Sequence, residues 1–231
     1  MADEVYQSNI YNPEIPFISF RKVLAEIGNP YRDNVELISL HSISKGLMGE
    51  CGFRGGYFES HNLDPFAEEI LYKLKSIGLC SNTVGQIAMD LMVNPPTKGR
   101  ESDECYDQYS KERDTISNGL AERAKLLTQT FNEMHNITCN DIEGAMYGFP
   151  QVKFSKNALL RAKDMNVQPD FMYCLDMLNE TGIMVVPGSG FGQEPGTHHF
   201  RITNLVTPTS DMKETLDALK VFNDKFHLRY E

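Results

Sequence analysis

The sequence predicts an α/β first part followed by an α+β second part, and three observations carry that reading. A β-rich run over residues 35–40 opens into a glycine-crowded loop and a second such run at Tyr57-Phe58, with helical patterns on either side. The longest helical pattern, residues 103–134, follows a proline–glycine cluster at 95–99. Beyond it, strand and helix signals alternate to the end of the chain, as expected of helices packed on a small sheet.

The elements follow in order. Over residues 17–27, Phe17, Phe20, Val23, Leu24 and Ile27 share one helical face. Gly28-Asn29-Pro30 is a turn, and the strand at 35–40 runs straight into His41-Ser42-Ile43-Ser44-Lys45. Gly46, Gly49, Gly52, Gly55 and Gly56 form the loop before Tyr57-Phe58. Asn62 or Asp64 caps a helix reaching about Ile77, with Pro65 in its first turn, and another helix covers 84–93. The cluster at 95–99 is the expected boundary, which divides the chain into domains 1–98 and 99–231. In the long helix, Ile116, Leu120, Leu127, Phe131 and Met134 form a buried stripe. Lys111, Glu112, Arg113, Glu122, Arg123 and Lys125 predict a solvated face. Residues 145–154 read as a strand, 170–180 as a helix stopped by Gly182, and 183–186 and 199–203 as strands. A closing helix over 210–226 takes Ser210 as its N-cap.

Composition narrows the function classes. With 231 residues, 41% hydrophobic and 23% charged, the chain is of ordinary globular make-up. A formal net charge of −10 disfavours nucleic acid, whose phosphates need a basic face. Five cysteines, at 51, 80, 105, 139 and 174, have no Cys-x-x-Cys spacing, so reduced thiols fit better than a disulfide framework or a zinc site. No apolar run reaches membrane-spanning length, and the first residues form neither a signal nor a transit peptide. Small molecules are the expected partners.

A set of scattered side chains points to one chemistry. Lys45 ends a strand in a Ser- and Gly-rich turn, where a ligand can approach the backbone closely, with the hydroxyls of Ser42 and Ser44 beside it. Arg54 lies in the same loop and offers a fork for a phosphate. Asp3 and Tyr6 supply a carboxylate and a phenol, and Arg201 is a lone arginine in an apolar strand, costly unless an anion meets it. Amino-group transfer on pyridoxal 5′-phosphate needs this set. A lysine holds the cofactor aldehyde and moves a proton, and a carboxylate keeps the pyridine nitrogen protonated. One arginine binds the phosphate and another the substrate carboxylate. Taken singly each signal is weak: Ser-x-Ser-Lys-Gly is more often an exposed turn, and Arg201 could equally serve a structural salt bridge.

Longer stretches carry more. Ser42-Ile-Ser-Lys45-Gly-Leu-Met-Gly-Glu50-Cys51-Gly-Phe-Arg54-Gly-Gly-Tyr57 resembles the cofactor-lysine segment of the alanine aminotransferases. Ala2-Asp3-Glu4-Val5-Tyr6-Gln7 is similar to the family's strand end carrying the pyridine-nitrogen Asp and the O3′ Tyr. Gly144-Ala-Met-Tyr147-Gly-Phe-Pro150, Glu180-Thr-Gly-Ile-Met-Val-Val-Pro187-Gly-Ser-Gly-Phe-Gly192-Gln and Phe200-Arg201-Ile-Thr also match, in the family's order.

The resemblance implies a pyridoxal-phosphate transferase of fold type I, truncated to the C-terminal part of the large mixed-sheet domain plus an α+β small domain. It implies Lys45 as Schiff-base lysine and acid/base, Asp3 and Tyr6 on the ring, and Ser42 and Arg54 on the phosphate. Arg201 would bind the substrate carboxylate, and no metal is implied. The reaction would convert L-alanine and 2-oxoglutarate to pyruvate and L-glutamate, by a ping-pong route in a homodimer. Leu47 replaces a usual aromatic, and Ile202 and Asn204 replace other side chains beside Arg201.

The family's phosphate-binding Gly/Ser turn, ring-stacking aromatic and O3′ asparagine, which precede Asp3, have no counterpart here. The expectation is therefore that the strand before Asp3 is absent and that residues 35–40 and 57–58 have unpaired edges. This chain alone would then turn over weakly or not at all. Two alternatives stay open: an aminotransferase for another small amino acid, and a non-catalytic piece acting only in association. The cytoplasm is the default compartment, with the mitochondrion as the other choice.

Three further signals are declined. In the 187–192 loop the third glycine comes too soon for a dinucleotide fingerprint, so a turn shaping a pocket wall is expected. His198-His199 lacks a spaced third metal ligand. Cys51 is expected to be a small buried residue rather than a reactive thiol.

Overall fold

The computed structural model describes residues 1–231 and divides the chain into two compact units, Met1–Ser117 and Asn118–Glu231. In the first unit, strand β1 (Ala2–Asp3) pairs in parallel with β2 (Leu37–Ser42), which pairs antiparallel along its whole length with β3 (Gly56–His61). The strand expected to be missing before Asp3 is therefore present in two residues. Ala2 lies opposite Ser39 and Asp3 opposite Leu40. The Glu4 N–H extends the ladder, donating to the Leu40 carbonyl at 3.1 Å. Strand β2 is thus the middle strand of the sheet, not an open edge.

Helix α1 (Phe20–Ile27) starts later than its apolar pattern because the Ser19 hydroxyl caps it, accepting from the Lys22 N–H at 3.1 Å. Of its five-residue apolar face only Leu24 is buried, in a small cluster with Ala2 and Leu37. The 28–30 turn runs into an unpredicted single helical turn, α2 (Tyr31–Asn34), closed by the Asn34 amide donating to the Pro30 carbonyl at 2.6 Å. Helix α3 (Pro65–Ser76) takes Asp64 as its cap, through bonds of 3.0 and 3.1 Å from Phe66 and Ala67. Helix α4 (Thr83–Val93) takes Asn82 and buries only Gly85 and Ala88. Phe20, Phe66, Ile87 and Leu91 all face water. Periodicity reports that a helix has an apolar face, but not what covers it, and this unit's own core is too small to do so.

Helix α5 (Asp103–Glu133) contributes to both units. Its Leu120, Leu127 and Phe131 are buried as expected, whereas Ile116 is half exposed. Arg123, expected on the solvated face, is buried and donates from Nε to the Asn204 carbonyl at 2.7 Å. The reason is register: position 123 lies three and four residues from Leu120 and Leu127, on the stripe itself.

The strand expected over 145–154 is broken at Pro150, which has no N–H to give a ladder. It becomes β5 (Tyr147–Gly148) and β6 (Gln151–Val152), the latter pairing with an unpredicted β4 (Ile137–Thr138). An unpredicted helix α6 (Lys156–Asp164) follows, capped by Ser155 through the Ala158 N–H at 3.1 Å. Helix α7 (Pro169–Thr181) ends at Gly182, whose φ of 75° is the left-handed conformation that glycine adopts without cost. Strands β7 (Val186–Pro187) and β5 flank β8 (Phe200–Thr203).

Helix α8 (Thr209–Arg229) has Pro208 at the cap position. Ser210 sits inside the first turn, its hydroxyl donating to the Asp211 carboxylate at 3.1 Å instead of capping. The core of this unit is dominated by Leu127, Phe131, Met172, Tyr173, Phe200 and Phe226. Each such side chain contributes roughly 1.5–3 kcal/mol on burial. The Tyr173 hydroxyl donates to the buried Asn223 at 2.9 Å, and that satisfied pair leaves the packing apolar around it.

His227 is also in this core, with Nε2 buried and unpartnered. Burial first, and the nearby His135 second, lower its pKa below the ordinary range. The folded state then binds fewer protons than the unfolded one. His227 therefore supports the fold fully above its unfolded pKa of about 6.5. That support is lost as pH falls through the depressed folded value. His198 and His199 shift in the same direction, again chiefly by burial. Thermal melts of the chain between pH 7.5 and 5 should show a falling Tm, with a shallower fall in His227→Phe. Equal slopes in the two proteins would remove His227 from this role.

Candidate active site

The first group of chemically apt residues stands at the carboxyl ends of the two parallel strands, where α/β sheets place their ligands. Asp3 is the last residue of β1, and its Oδ1 accepts from the Val5 N–H at 3.4 Å. Tyr6 follows in a turn whose carbonyl accepts from the Asn9 N–H at 2.9 Å. Strand β2 ends at Ser42, and the chain then enters a loop closed upon itself. Ile43 is fully buried, its N–H donating to the Gly55 carbonyl at 3.2 Å and its carbonyl accepting from Glu50 at 2.8 Å. The Ser42 hydroxyl donates to Gly55 at 3.0 Å and accepts from the Ser44 N–H at 3.1 Å.

Lys45 projects from this loop and is exposed. Gly46, at φ 66°, seats the turn: a Cβ there would lie 2.8 Å from the Val5 carbonyl oxygen and 3.3 Å from Asn9 Oδ1. The lysine turn thus rests directly on the segment that carries Asp3 and Tyr6. At the other end of the loop, Gly55 presses on Gly85 of α4, where a Cβ would come within 2.7 Å of the carbonyl. The Asn82 side chain donates to the Phe53 carbonyl at 2.7 Å and fixes the same contact. Arg54 is exposed and left-handed at φ 57°, with Nη1 donating to the Cys51 carbonyl at 3.1 Å. Cys51 is exposed, contrary to the expectation of a buried thiol, because the loop holds it in the short 3-10 turn Cys51–Phe53 away from any core.

One residue here was not singled out from the sequence. Asn9 is 2% exposed, and neither polar atom of its side chain has a partner. A lone asparagine in a polar stretch carries no signal of burial; only its seat beside Gly46 reveals it.

The second group lies on β8. Arg201 stands opposite Val186 of β7, while Tyr147 of β5 stands opposite Thr203. The Arg201 guanidinium carbon lies 4.8 Å from the ring of Tyr147 and 4.8 Å from the ring of Phe191. Two cation–π contacts stabilise it by roughly 0.5–1 kcal/mol each, more where water is excluded. Phe191 ends the 3-10 segment Gly188–Phe191, so the glycine-rich stretch forms a turn that presents an aromatic ring. None of the chain's ion pairs involves Arg201, Lys45 or Arg54. The salt-bridge alternative for Arg201 is therefore set aside: the aromatic faces hold the cation, and its charge stays available to an anion.

The first group fits a phosphorylated pyridoxal. It offers a lysine amine free of ion pairs, a carboxylate at the neighbouring strand end and a guanidinium in the same loop. The glycine seat that a Cβ would fill brings lysine and carboxylate segments together. The Ser42 O–H is engaged as donor to the Gly55 carbonyl, which leaves its oxygen as an acceptor only, whereas the Ser44 hydroxyl has no partner within the chain.

The family "Aminotransferase class I and II" matches residues 1–219. Glutamate–glyoxylate aminotransferase 1 of Arabidopsis thaliana is 49% identical over all of this chain and 47% of its own length. Alanine aminotransferase 2 of Xenopus laevis is 48% identical, over 100% of this chain and 42% of its own length. The chain thus spans about half the length of the curated relatives it matches. Among solved structures, the alanine aminotransferase of Pyrococcus furiosus is 26% identical with a TM-score of 0.73, over 96% of this chain and 48% of that one. An aminotransferase from Escherichia coli shares the fold, with a TM-score of 0.72 at 22% identity, over 98% of this chain and 49% of that one.

Gly46→Ala tests the seat. A methyl group there combines left-handed strain of roughly 1–2 kcal/mol with overpacking of about 1–3 kcal/mol. Denaturant titration should show the first unit destabilised by about 2 kcal/mol or more. A loss below about 0.5 kcal/mol, the range of an ordinary surface change, would deny the close approach.

Proposed function

The chain belongs to the class I and II aminotransferases, and from that premise we propose that it is part of an enzyme exchanging an amino group between L-alanine and 2-oxoglutarate on pyridoxal 5′-phosphate. Pyruvate and L-glutamate would be the products. The observation that carries this reading is the meeting of the Lys45 turn with the Asp3–Tyr6 segment at Gly46. The solved relatives' fold, a type I pyridoxal-phosphate transferase, is the frame in which those residues sit.

When bound, the cofactor supplies an electron sink for the charge left at the substrate Cα. The chain's own residues do the rest. Lys45 Nζ would hold the cofactor through its aldehyde and would serve as the acid/base that moves a proton at the substrate Cα. The Asp3 carboxylate would accept from the pyridinium N–H and keep that nitrogen protonated, and the Tyr6 phenol would serve O3′. Arg54 binds the phosphate with its fork, and Ser42 and Ser44 brace or supplement it. Arg201 takes the substrate carboxylate edge-on. With its charge held over the rings of Tyr147 and Phe191 and no carboxylate paired to it, the guanidinium keeps its fork for a bidentate partner. Pairing of two copies and a cytoplasmic setting belong to the same proposal, as does weak or absent turnover by the 231-residue chain alone. No helix is long and apolar enough to cross a membrane.

A second reading has specific support. The Arabidopsis relative is named for glutamate and glyoxylate, so glyoxylate competes with pyruvate as the small 2-oxo acid that accepts the amino group from glutamate. Parallel assays with glutamate and each acceptor separate the two.

In the enzyme that contains this chain, Lys45→Ala should remove the visible absorbance of bound cofactor and lower turnover by roughly 10²–10⁴. Arg201→Lys replaces a fork by a point charge and should raise KM for the amino acid about tenfold or more. Retained absorbance in the first variant, or an unchanged KM in the second, would remove that residue from its role.

A further inference from the structure

A buried carboxylate to which the proposed reaction gives no role anchors the loop that carries Phe191. Asp170 lies in the first turn of α7 and is 2% exposed. Its position favours an anion, since the helix dipole and free N–H groups point there. One oxygen, Oδ2, accepts from the Ser189 N–H at 2.5 Å and from the Gln193 Nε2 at 3.2 Å, while Oδ1 has no partner. No ion pair compensates it. A buried charge held this way is costly, and everything it holds belongs to one loop.

The hydrogen bonds from it run in one direction. A carboxylate can only accept, so the Gln193 amide must turn its Nε2 toward Asp170 and its Oε1 away. Oε1 then accepts from the His199 N–H at 3.0 Å and faces His199 Nδ1 at 3.1 Å, which selects the tautomer bearing the proton on Nδ1. Gly188 makes room for this arrangement: its N–H donates to the His199 carbonyl at 2.7 Å, and a Cβ there would collide with Gln193 and His199. The oriented His199 ring lies flat on Phe149, 4.8 Å away at 4°. Phe149 meets Phe191 edge to face at 5.8 Å, and the Arg201 guanidinium carbon lies over the Phe191 ring at 4.8 Å.

We propose that Asp170 and Gln193 are positioning residues that lock the 188–193 loop and so hold the Arg201 guanidinium in one orientation for a carboxylate ligand. The inference rests on the role given to Arg201 above. Physically, an arginine on a flexible stem loses rotamer freedom when it binds. Ordering the guanidinium in advance removes that loss from the binding step. Asp170 bonds to Ser189 and Gln193 of the loop, not to Arg201. It acts through the aromatic ring that its loop presents.

The test reads the order of Arg201 directly. In the uniformly ¹⁵N-labelled chain at pH 6.5, the Arg201 Nε–Hε signal is assigned by its loss in Arg201→Lys. Its heteronuclear NOE is then measured in the parent, in Asp170→Asn and in Gln193→Leu, and pyruvate is titrated into each. We expect a high NOE in the parent, a marked fall in both variants with unchanged far-UV circular dichroism, and pyruvate binding weakened about tenfold. Parent values of NOE and affinity in both variants would overturn the inference. Should Asp170→Asn fail to fold, Gln193→Leu decides, since Gln193 lies in a surface loop. The NOE needs no ligand and decides by itself if pyruvate binding is too weak to measure. Undiminished pyruvate binding in Arg201→Lys would instead refute the role of Arg201 and leave the positioning result standing separately.

Discussion

The close approach of Gly46 to the Val5 carbonyl is the contact on which the first group of site residues depends. Strand β1 is only two residues long, and its ladder with β2 ends at the Glu4 N–H. Two residues of parallel ladder cannot fix the segment that follows. The glycine seat does so, because it leaves no room for a side chain between the lysine turn and the backbone after Asp3. The same device recurs where Gly55 meets Gly85, so both ends of the Lys45–Arg54 loop are held by backbone contacts. Lys45 and Arg54 are thereby left without ion pairs, Arg54 giving only one Nη1 bond to the Cys51 carbonyl.

Arg201 is held by a different kind of force. Its strand offers it apolar neighbours and no counter-ion, and two aromatic faces supply the compensation. Aromatic rings stabilise the cation without neutralising it, as a carboxylate would. That distinction explains how a side chain can be ordered by the protein and still be receptive to an anion. Tyr147 arrives from β5 and Phe191 from a glycine-rich turn, so the platform depends on both the sheet register and the loop.

Much of this was legible in the sequence, and the misses have physical causes. The caps at Asp64 and Gly182 could be read because cap chemistry is local, and the long helix because its stripe repeats many times. Helix α6 was missed although Ser155 and the small residues Ala158 and Ala162 mark it, because its pattern lies beside a longer strand-like run. That run itself was over-extended through Pro150. Residue type places Arg123 on the solvated face, but helical register places it on the buried stripe with Leu120 and Leu127. Lys45, Asp3, Tyr6, Ser42, Arg54 and Arg201 were nominated by pattern and resemblance. The glycine seat, the buried Asn9 and the aromatic faces on Arg201 depend on contacts between distant segments, which no local pattern encodes.

The central claim is that Lys45 is the lysine this site offers to the cofactor. The most direct measurement is borohydride reduction of the protein with pyridoxal 5′-phosphate bound, followed by proteolysis and mass mapping of the phosphopyridoxyl label. The account predicts a single modified peptide, with the added mass on Lys45. Label concentrated on another lysine, or spread evenly over the exposed lysines of the chain, would contradict it.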